Sequence, residues 1–156
     1  MKRLIFILTF LFLILPQISA AEVSMDSQFD SGETLLAKFS GNFIDQITDD
    51  NVHFYRTHVE IPMVYDVVKI EDEFYVSALL DGKTEGNYSI SIEGVRYMKG
   101  TQISEEDIIS NFSISNETAI FSVNPGVLST PEDFSIEFQN LQETEITIEI
   151  DIDSSS

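Results

Sequence analysis

Residues 86–92 switch between apolar and polar side chains at almost every position. The apolar members are Tyr88, Ile90 and Ile92, and the polar members are Asn87, Ser89 and Ser91. Successive side chains of a β-strand point to opposite sides, so residues two apart share one face. This stretch therefore predicts a strand with one face in an apolar core and the other face in solvent.

The same alternation recurs along the chain between short turn segments. It predicts about seven strands within residues 22–116, at the spacing that is typical of a β-sandwich. Residues 52–59 are rich in aromatic and β-branched side chains and are predicted to form a single strand. The acidic segment Ser104–Asp107 predicts one helical turn, because carboxylates favour a helix N-terminus. The chain is therefore expected to be all-β and antiparallel.

The strand at 86–92 opens with Gly86, Asn87 and Tyr88, which place a tyrosine directly after a glycine-containing turn. This arrangement resembles the tyrosine corner of immunoglobulin-like (Ig-like) β-sandwiches. The resemblance implies an Ig-like, Greek-key antiparallel sandwich over residues 22–116, with Gly86 and Tyr88 at a structural corner. The chain departs from antibody domains because it has no cysteine and no tryptophan. Immune-type recognition is therefore not implied.

A second alternating region covers residues 117–153 and predicts three more strands, separated by turns at Asn124-Pro125-Gly126 and Asn140-Leu141-Gln142. This order resembles the opening strands of another Ig-like module, followed by a polar tail at residues 154–156. Three strands cannot close a sandwich. Either this region is a partial second unit packed on the first domain, or residues 22–153 form one enlarged sandwich.

Residues 1–21 have the pattern of a secretory signal. Lys2-Arg3 precede an apolar run at Leu4–Leu15, and the small residues Ser19-Ala20-Ala21 predict cleavage after Ala21. The alternative is an uncleaved membrane anchor. A helix of this apolar run would span only about 18 Å, less than the roughly 30 Å of a hydrocarbon core. We therefore expect a signal helix that is removed on export.

The charge of the chain is strongly one-sided. All 27 acidic residues follow the leader. Only six of the eight basic residues do so, and the exported part therefore has a formal net charge of −21. Such a surface repels phosphate groups. This argues against nucleic-acid partners and against peripheral binding to anionic membranes, and it suits high ionic strength, where salt screens like-charge repulsion.

The residue types needed for catalysis are scarce. The absence of cysteine excludes disulfides, a thiol nucleophile and a thiolate metal site. The two histidines, His53 and His58, are an odd number of residues apart on one predicted strand, so they would face opposite sides and could not share a metal. No G-x-S-x-G elbow is present. The sequence therefore predicts a protein that is not an enzyme.

One acidic loop is a candidate calcium site, the single cofactor that the sequence suggests. Calcium prefers hard oxygen ligands, and four residues of this loop supply them: Asp45, Asp49, Asp50 and Asn51. Asp26 or Asp30 would lie near them at one pole of a sandwich. The loop lacks the regular spacing of an EF-hand, and the alternative interpretation is a solvated acidic loop.

Three N-x-S/T sequons begin at Asn87, Asn111 and Asn116. In the first two, the aromatic residue that follows is expected to face the core, which turns the asparagine toward solvent. Asn116 is expected in the link between the two units. All three are therefore candidate glycosylation sites.

Aromatic residues offer a further alternative, a carbohydrate-stacking platform. The candidates are Phe39, Phe43, Phe54, Tyr55, Tyr65, Phe74, Tyr75 and Tyr97. Aromatic residues in strands more commonly belong to the core.

Taken together, the leader, the Gly-Asn-Tyr corner and the Pro-Gly restart resemble the N-terminal part of a prokaryotic cell-surface protein built from Ig-like repeats. The acidity and the missing cysteines favour an archaeal one. The resemblance implies a secreted or surface-held, non-catalytic module with a structural, adhesive or partner-binding role. Its partners would be other cell-surface proteins or further Ig-like repeats, docked through an exposed strand. The alternatives are a ligand-binding accessory domain for calcium or carbohydrate, a hydrolase whose histidine meets a distant serine and aspartate only in the folded chain, and a chain anchored by an uncleaved leader.

Overall fold

The computed structural model describes residues 21–150, which form thirteen β-strands and one short 3-10 helix at Asp49–Asn51. The strands are β1 (Glu22–Ser24), β2 (Gln28–Ser31), β3 (Thr34–Ser40), β4 (Val52–Arg56), β5 (Val59–Glu60), β6 (Val64–Ile70), β7 (Glu73–Leu79), β8 (Gly86–Ile92), β9 (Tyr97–Lys99), β10 (Gln102–Ser104), β11 (Ile108–Thr118), β12 (Phe121–Asn124) and β13 (Glu137–Asn140). The prediction of an all-β fold is confirmed. The predicted signal helix and polar tail lie outside the described residues.

Two large sheets dominate the fold. One has the strand order β1-β3-β7-β6, and the other has the order β2-β11-β8-β4-β5. The chain therefore crosses from one sheet to the other between β1 and β2. The expectation that all strands pair antiparallel is wrong for one pair, since β2 runs parallel to β11. The other strand pairs of the described chain are antiparallel. The pairs β9–β10 and β12–β13 form two small separate sheets.

The core lies between the two large sheets and follows the predicted alternation. The buried residues of the four-stranded sheet include Leu35, Ala37, Phe39, Phe74, Val76 and Ala78. Those of the five-stranded sheet include Phe29, Val52, Phe54, Tyr88, Ile90, Ile92, Phe112 and Ile114. They form one continuous cluster, so the two sheets make a β-sandwich. Burying each large apolar side chain contributes about 1.5–3 kcal/mol, and no covalent cross-link assists them.

The single strand predicted over residues 52–59 is wrong. The structure has two antiparallel strands, β4 and β5, joined by a turn at Thr57 and His58. Thr57 adopts a left-handed backbone with φ of 61°, which reverses the chain without glycine or proline. His53 therefore lies on a strand and His58 lies exposed in a turn.

The helical turn predicted at Ser104–Asp107 is also wrong. Ser104 ends β10, and residues 105–107 connect it to β11, which begins at Ile108. Acidic residues favour a helix N-terminus only where a helix can follow. Here the next residues are needed at once for the long pairing of β11 with β8.

Two of the three strands predicted in the second region are present. β12 and β13 pair antiparallel with Val123 opposite Phe138. Residues 146–150 have no assigned strand. The boundary predicted after Asn116 falls inside β11, which continues to Thr118. Asn116 is therefore a strand residue and not part of a linker.

Tyr88 is buried at the entry of β8 and closes the turn that precedes it. Its hydroxyl donates a hydrogen bond of 2.6 Å to the Thr84 carbonyl oxygen. Its ring stacks on Phe112 of β11, with ring centroids 5.6 Å apart, and the Arg56 guanidinium lies 5.7 Å from its centroid. Gly86 has a φ of 146°, and a Cβ there would lie 3.4 Å from the Arg56 side chain. Glycine therefore allows both the positive φ and the close contact with Arg56 at this position.

Substitution Tyr88→Phe tests the contribution of the hydroxyl. We expect a loss of about 1 kcal/mol in the free energy of unfolding, because one hydrogen bond is removed and the packing is kept. Urea denaturation provides the measurement. Tyr97→Phe is the control, since Tyr97 is buried but its hydroxyl makes no hydrogen bond within the described residues. An equal loss in both variants would contradict a special role for the Tyr88–Thr84 bond.

Candidate functional site

The residues predicted to bind calcium occupy one loop, but they have other partners. Asp45 forms a two-pronged ion pair with Arg96. Its Oδ1 accepts from Nη2 at 2.7 Å and its Oδ2 accepts from Nε at 2.8 Å. Oδ2 also accepts from the Arg96 backbone N–H at 3.0 Å. Both carboxylate oxygens of Asp45 are therefore engaged.

The other three predicted ligands lie in the 3-10 helix. The Asn51 Oδ1 accepts hydrogen bonds from the Thr48 backbone N–H and hydroxyl, and its Nδ2 donates to the Glu93 carbonyl. Asp49 and Asp50 are exposed. Within residues 21–150, no three His, Asp or Glu side chains are gathered in a way that would hold a metal ion. Calcium binding at this loop stays a prediction.

The hydrogen bonds from Arg96 lower the pKa of Asp45 from its ordinary value of 3.8 to about 2. A carboxyl with a lowered folded-state pKa stabilises the protein above its unfolded-state pKa. We therefore expect this stabilisation to be present above about pH 4 and lost as the pH falls toward about 2.

Substitution Asp45→Asn tests this linkage. The variant is expected to be less stable than the parent at neutral pH, and the difference should disappear as the pH approaches about 2. Urea denaturation across this pH range gives the measurement. Asp133→Asn is the control, because Asp133 is exposed and forms no ion pair in the described chain. A difference that stays constant with pH would contradict the assignment.

The outer face of the five-stranded sheet holds a polar cluster that sequence reasoning did not identify. His53 Nδ1 lies 2.9 Å from Glu60 Oε1, and this hydrogen bond raises the pKa of His53. Tyr55 donates a 2.9 Å hydrogen bond to Glu93 Oε1, which raises the pKa of Tyr55 to about 12. Glu60 and Glu93 come from different segments, so no local motif announces the cluster.

His53, Glu60 and Ser91 are residue types that some hydrolases combine, but their geometry here does not suit that chemistry. Ser91 lies opposite His53 in the strand register. Its side chain is 1% exposed, and its Oγ has no hydrogen-bond partner in the described chain. A histidine activates a serine only within hydrogen-bond reach. Ser91 and His53 therefore do not form a nucleophile–base pair.

The three sequon asparagines are all exposed. Asn87 on β8 and Asn111 on β11 lie on adjacent strands, with Asn87 opposite Ser113 and Asn111 opposite Ser89. Their side chains are therefore accessible to a modifying enzyme. Their use as glycosylation sites stays a prediction.

The eight aromatic residues weighed as an alternative carbohydrate platform do not form one surface. Four of them are buried in the core, namely Phe39, Phe54, Phe74 and Tyr97. Phe43 packs edge-on against Phe74, with ring centroids 5.5 Å apart. It borders an open polar groove of about 510 Å³ that Lys69 and Asp72 also line.

A second groove, here called the junction groove, lies where the sandwich meets the β12–β13 sheet. It has a volume of about 340 Å³ and is lined by Asp30, Glu33, Thr34, Ala119, Ile120, Phe121 and Val123. One side comes from the β2–β3 turn and the other from the segment that leads into β12. These segments are far apart in the sequence, so only the folded chain reveals the groove.

Thr34 connects the two walls of the junction groove through hydrogen bonds. Its Oγ1 accepts a hydrogen bond from the Val123 N–H at 2.8 Å and donates one to the Val123 carbonyl at 2.9 Å. Gly126 also lies close to the sandwich, where a Cβ would come within 2.8 Å of Thr34 Cγ2. β12 is therefore held directly against the start of β3.

Neither a known protein-family model nor a curated protein matches this chain. Within the described residues, no helix has the length and apolar character needed to cross a membrane.

Substitution Thr34→Val removes both hydrogen bonds to Val123 with little change in side-chain shape. We expect the Val123 amide to exchange with solvent about tenfold faster, because its hydrogen bond to Thr34 is lost. Hydrogen exchange followed by NMR gives the measurement, with amides of β8 as the internal reference. Thr101→Val in an exposed turn is the control. Unchanged exchange at Val123 would show that Thr34 does not hold β12.

Proposed function

We propose that this chain is an exported, non-catalytic Ig-like module with a structural, adhesive or partner-binding role at the cell surface. The strand order carries the proposal. Ig-like sandwiches place strands A, B, E and D in one sheet and strands C, F and G in the other. The order β1-β3-β7-β6 corresponds to the first sheet, and β11-β8-β4 corresponds to the second. The added strand β5 next to β4 is a feature of the variable type.

The position of Tyr88 supports the Ig-like assignment. A tyrosine corner lies near the start of strand F, and its hydroxyl bonds to the backbone a few residues upstream. Tyr88 is the third residue of β8, the strand that corresponds to F, and it bonds to the carbonyl four residues earlier. Phe54 is the large buried residue of β4, the strand on which antibody domains carry their tryptophan.

A free strand edge supports a partner-binding role. β6 lies at the edge of its sheet and pairs with β7 along its full seven residues without a bulge. Val64, at its start, is 67% exposed. An edge of this kind offers backbone N–H and C=O groups to an added strand. Another Ig-like repeat or another surface protein could supply such a strand.

The leader and the charge support export. The basic start and apolar run of residues 1–21 are typical of a secretory signal. A net charge of −21 beyond it keeps the module in solution and separates it from anionic lipid surfaces. A calcium-binding or carbohydrate-binding accessory role has no comparable support in the arrangement of the described residues.

Export can be tested with the full chain tagged after Ser156 and produced in a prokaryotic host. We expect the tag in the medium or exposed to protease added to intact cells. The matched control is the variant Leu8→Arg, Leu11→Arg, which interrupts the apolar run of the leader and leaves the mature sequence unchanged. The control should stay inside the cell. Retention of both proteins in the cytoplasm would overturn the proposal.

A further inference from the structure

The C-terminal part of the chain combines exposed apolar side chains with one sign of charge. After Lys99 the sequence has twelve acidic residues and no Lys, Arg or His. The large apolar residues exposed in residues 120–150 are Ile120, Phe121, Leu128, Phe134, Ile136 and Ile150. Contiguous exposed apolar surface typically marks an interaction site, and two of these residues, Ile120 and Phe121, lie together in the junction groove.

The junction groove brings these two properties together at one place. One wall is apolar and consists of Ala119, Ile120, Phe121 and Val123. The other wall carries the carboxylates of Asp30 and Glu33. Within the described part of the chain these carboxylates have neutral partners: Asp30 accepts from the Ser115 hydroxyl at 2.7 Å and Glu33 accepts from the Asp30 N–H at 2.7 Å. Among the described residues that line the groove none is basic, so within residues 21–150 both negative charges lack a counter-charge there.

The chemistry of the two walls matches a long basic side chain. Lysine and arginine cover apolar surface with their aliphatic stems and present the charge at the tip. In this groove the stem would lie along Ile120 and Phe121 and the charge would reach Asp30 and Glu33. A purely apolar occupant would bury those carboxylates without a partner, which is costly.

The charge of the chain also argues against a second copy as the occupant. Two exported chains each carry a net charge of −21, and like-charge repulsion between them opposes association at ordinary salt. We infer that the junction groove docks a Lys or Arg side chain from a basic, partly apolar segment of another protein. This inference specifies the partner for the role proposed above.

Binding of defined peptides to the purified full chain tests the inference. The probe is an extended peptide that alternates Lys and Val, compared with peptides of equal length that alternate Lys with Ser or Glu with Val. We expect the Lys/Val peptide to bind about tenfold more tightly than the Lys/Ser peptide. Equal affinities of the Lys/Val and Lys/Ser peptides would indicate bulk electrostatic attraction and would overturn the inference.

Two variants locate the site. Ile120→Ser should weaken Lys/Val binding about tenfold, whereas Ile109→Ser should leave it unchanged. The two isoleucines are a matched pair, since each is 59% exposed, but Ile109 lies on β11 away from the groove. Equal effects would overturn the inference. Because Ile120 is exposed, Ile120→Ser should not prevent folding. Urea denaturation of both variants would check this.

The charge is tested by Glu33→Gln, which keeps an oxygen for the Asp30 N–H. It should lower affinity and reduce the dependence of binding on salt, whereas Glu105→Gln outside the groove should do neither. Association of the chain with itself through Ile120, seen by sedimentation without peptide, would identify a second copy as the occupant and overturn the inference. The binding assay uses purified components, so its outcome is independent of whether the chain is exported.

Discussion

Burial of apolar side chains between two sheets holds this protein together without covalent cross-links. Leu35 and Phe39 of β3 meet Phe54 of β4 and Ile90 of β8 in a layer that solvent barely reaches. Because the chain has no cysteine, this layer must provide most of the free energy that orders the strands.

The sequence was informative where a strand has one face in this layer. Alternation predicted β8, because its inward residues Tyr88, Ile90 and Ile92 are large and apolar and the residues between them are polar. Alternation indicates which face of a strand a residue lies on, but it does not indicate which other strand pairs with it. The stretch at 146–150 therefore has the pattern of a strand but no assigned partner strand. The turn at Thr57 and His58 was missed because neither residue is a usual turn former.

The candidate sites were harder to predict, because they join distant segments. The calcium hypothesis rested on Asp45 and its neighbours in the loop, and no local pattern indicates that Arg96, which lies 51 residues away in the chain, occupies both oxygens of that carboxylate. The His53–Glu60 contact depends on the same missed turn, which brings β5 back beside β4. The junction groove likewise requires residues 30–34 and 119–123 to meet, and only tertiary structure brings them together. The net charge, in contrast, can be counted directly from the sequence, and it limits the kinds of partner that can be proposed.

The parallel pairing of β2 with β11 has a mechanical consequence. β2 lies near the beginning of the sandwich and β11 near its end, and the Ser113 N–H and the Ala119 N–H donate to β2-side carbonyls at Ser27 and Ser31. Tension applied at the two ends of the chain would pull these parallel strands along their lengths in opposite directions. Several hydrogen bonds would then bear the load together in shear, whereas antiparallel strands pulled apart from one end lose them in succession. A sandwich connected in this way resists stretching along the direction of its parallel strand pair.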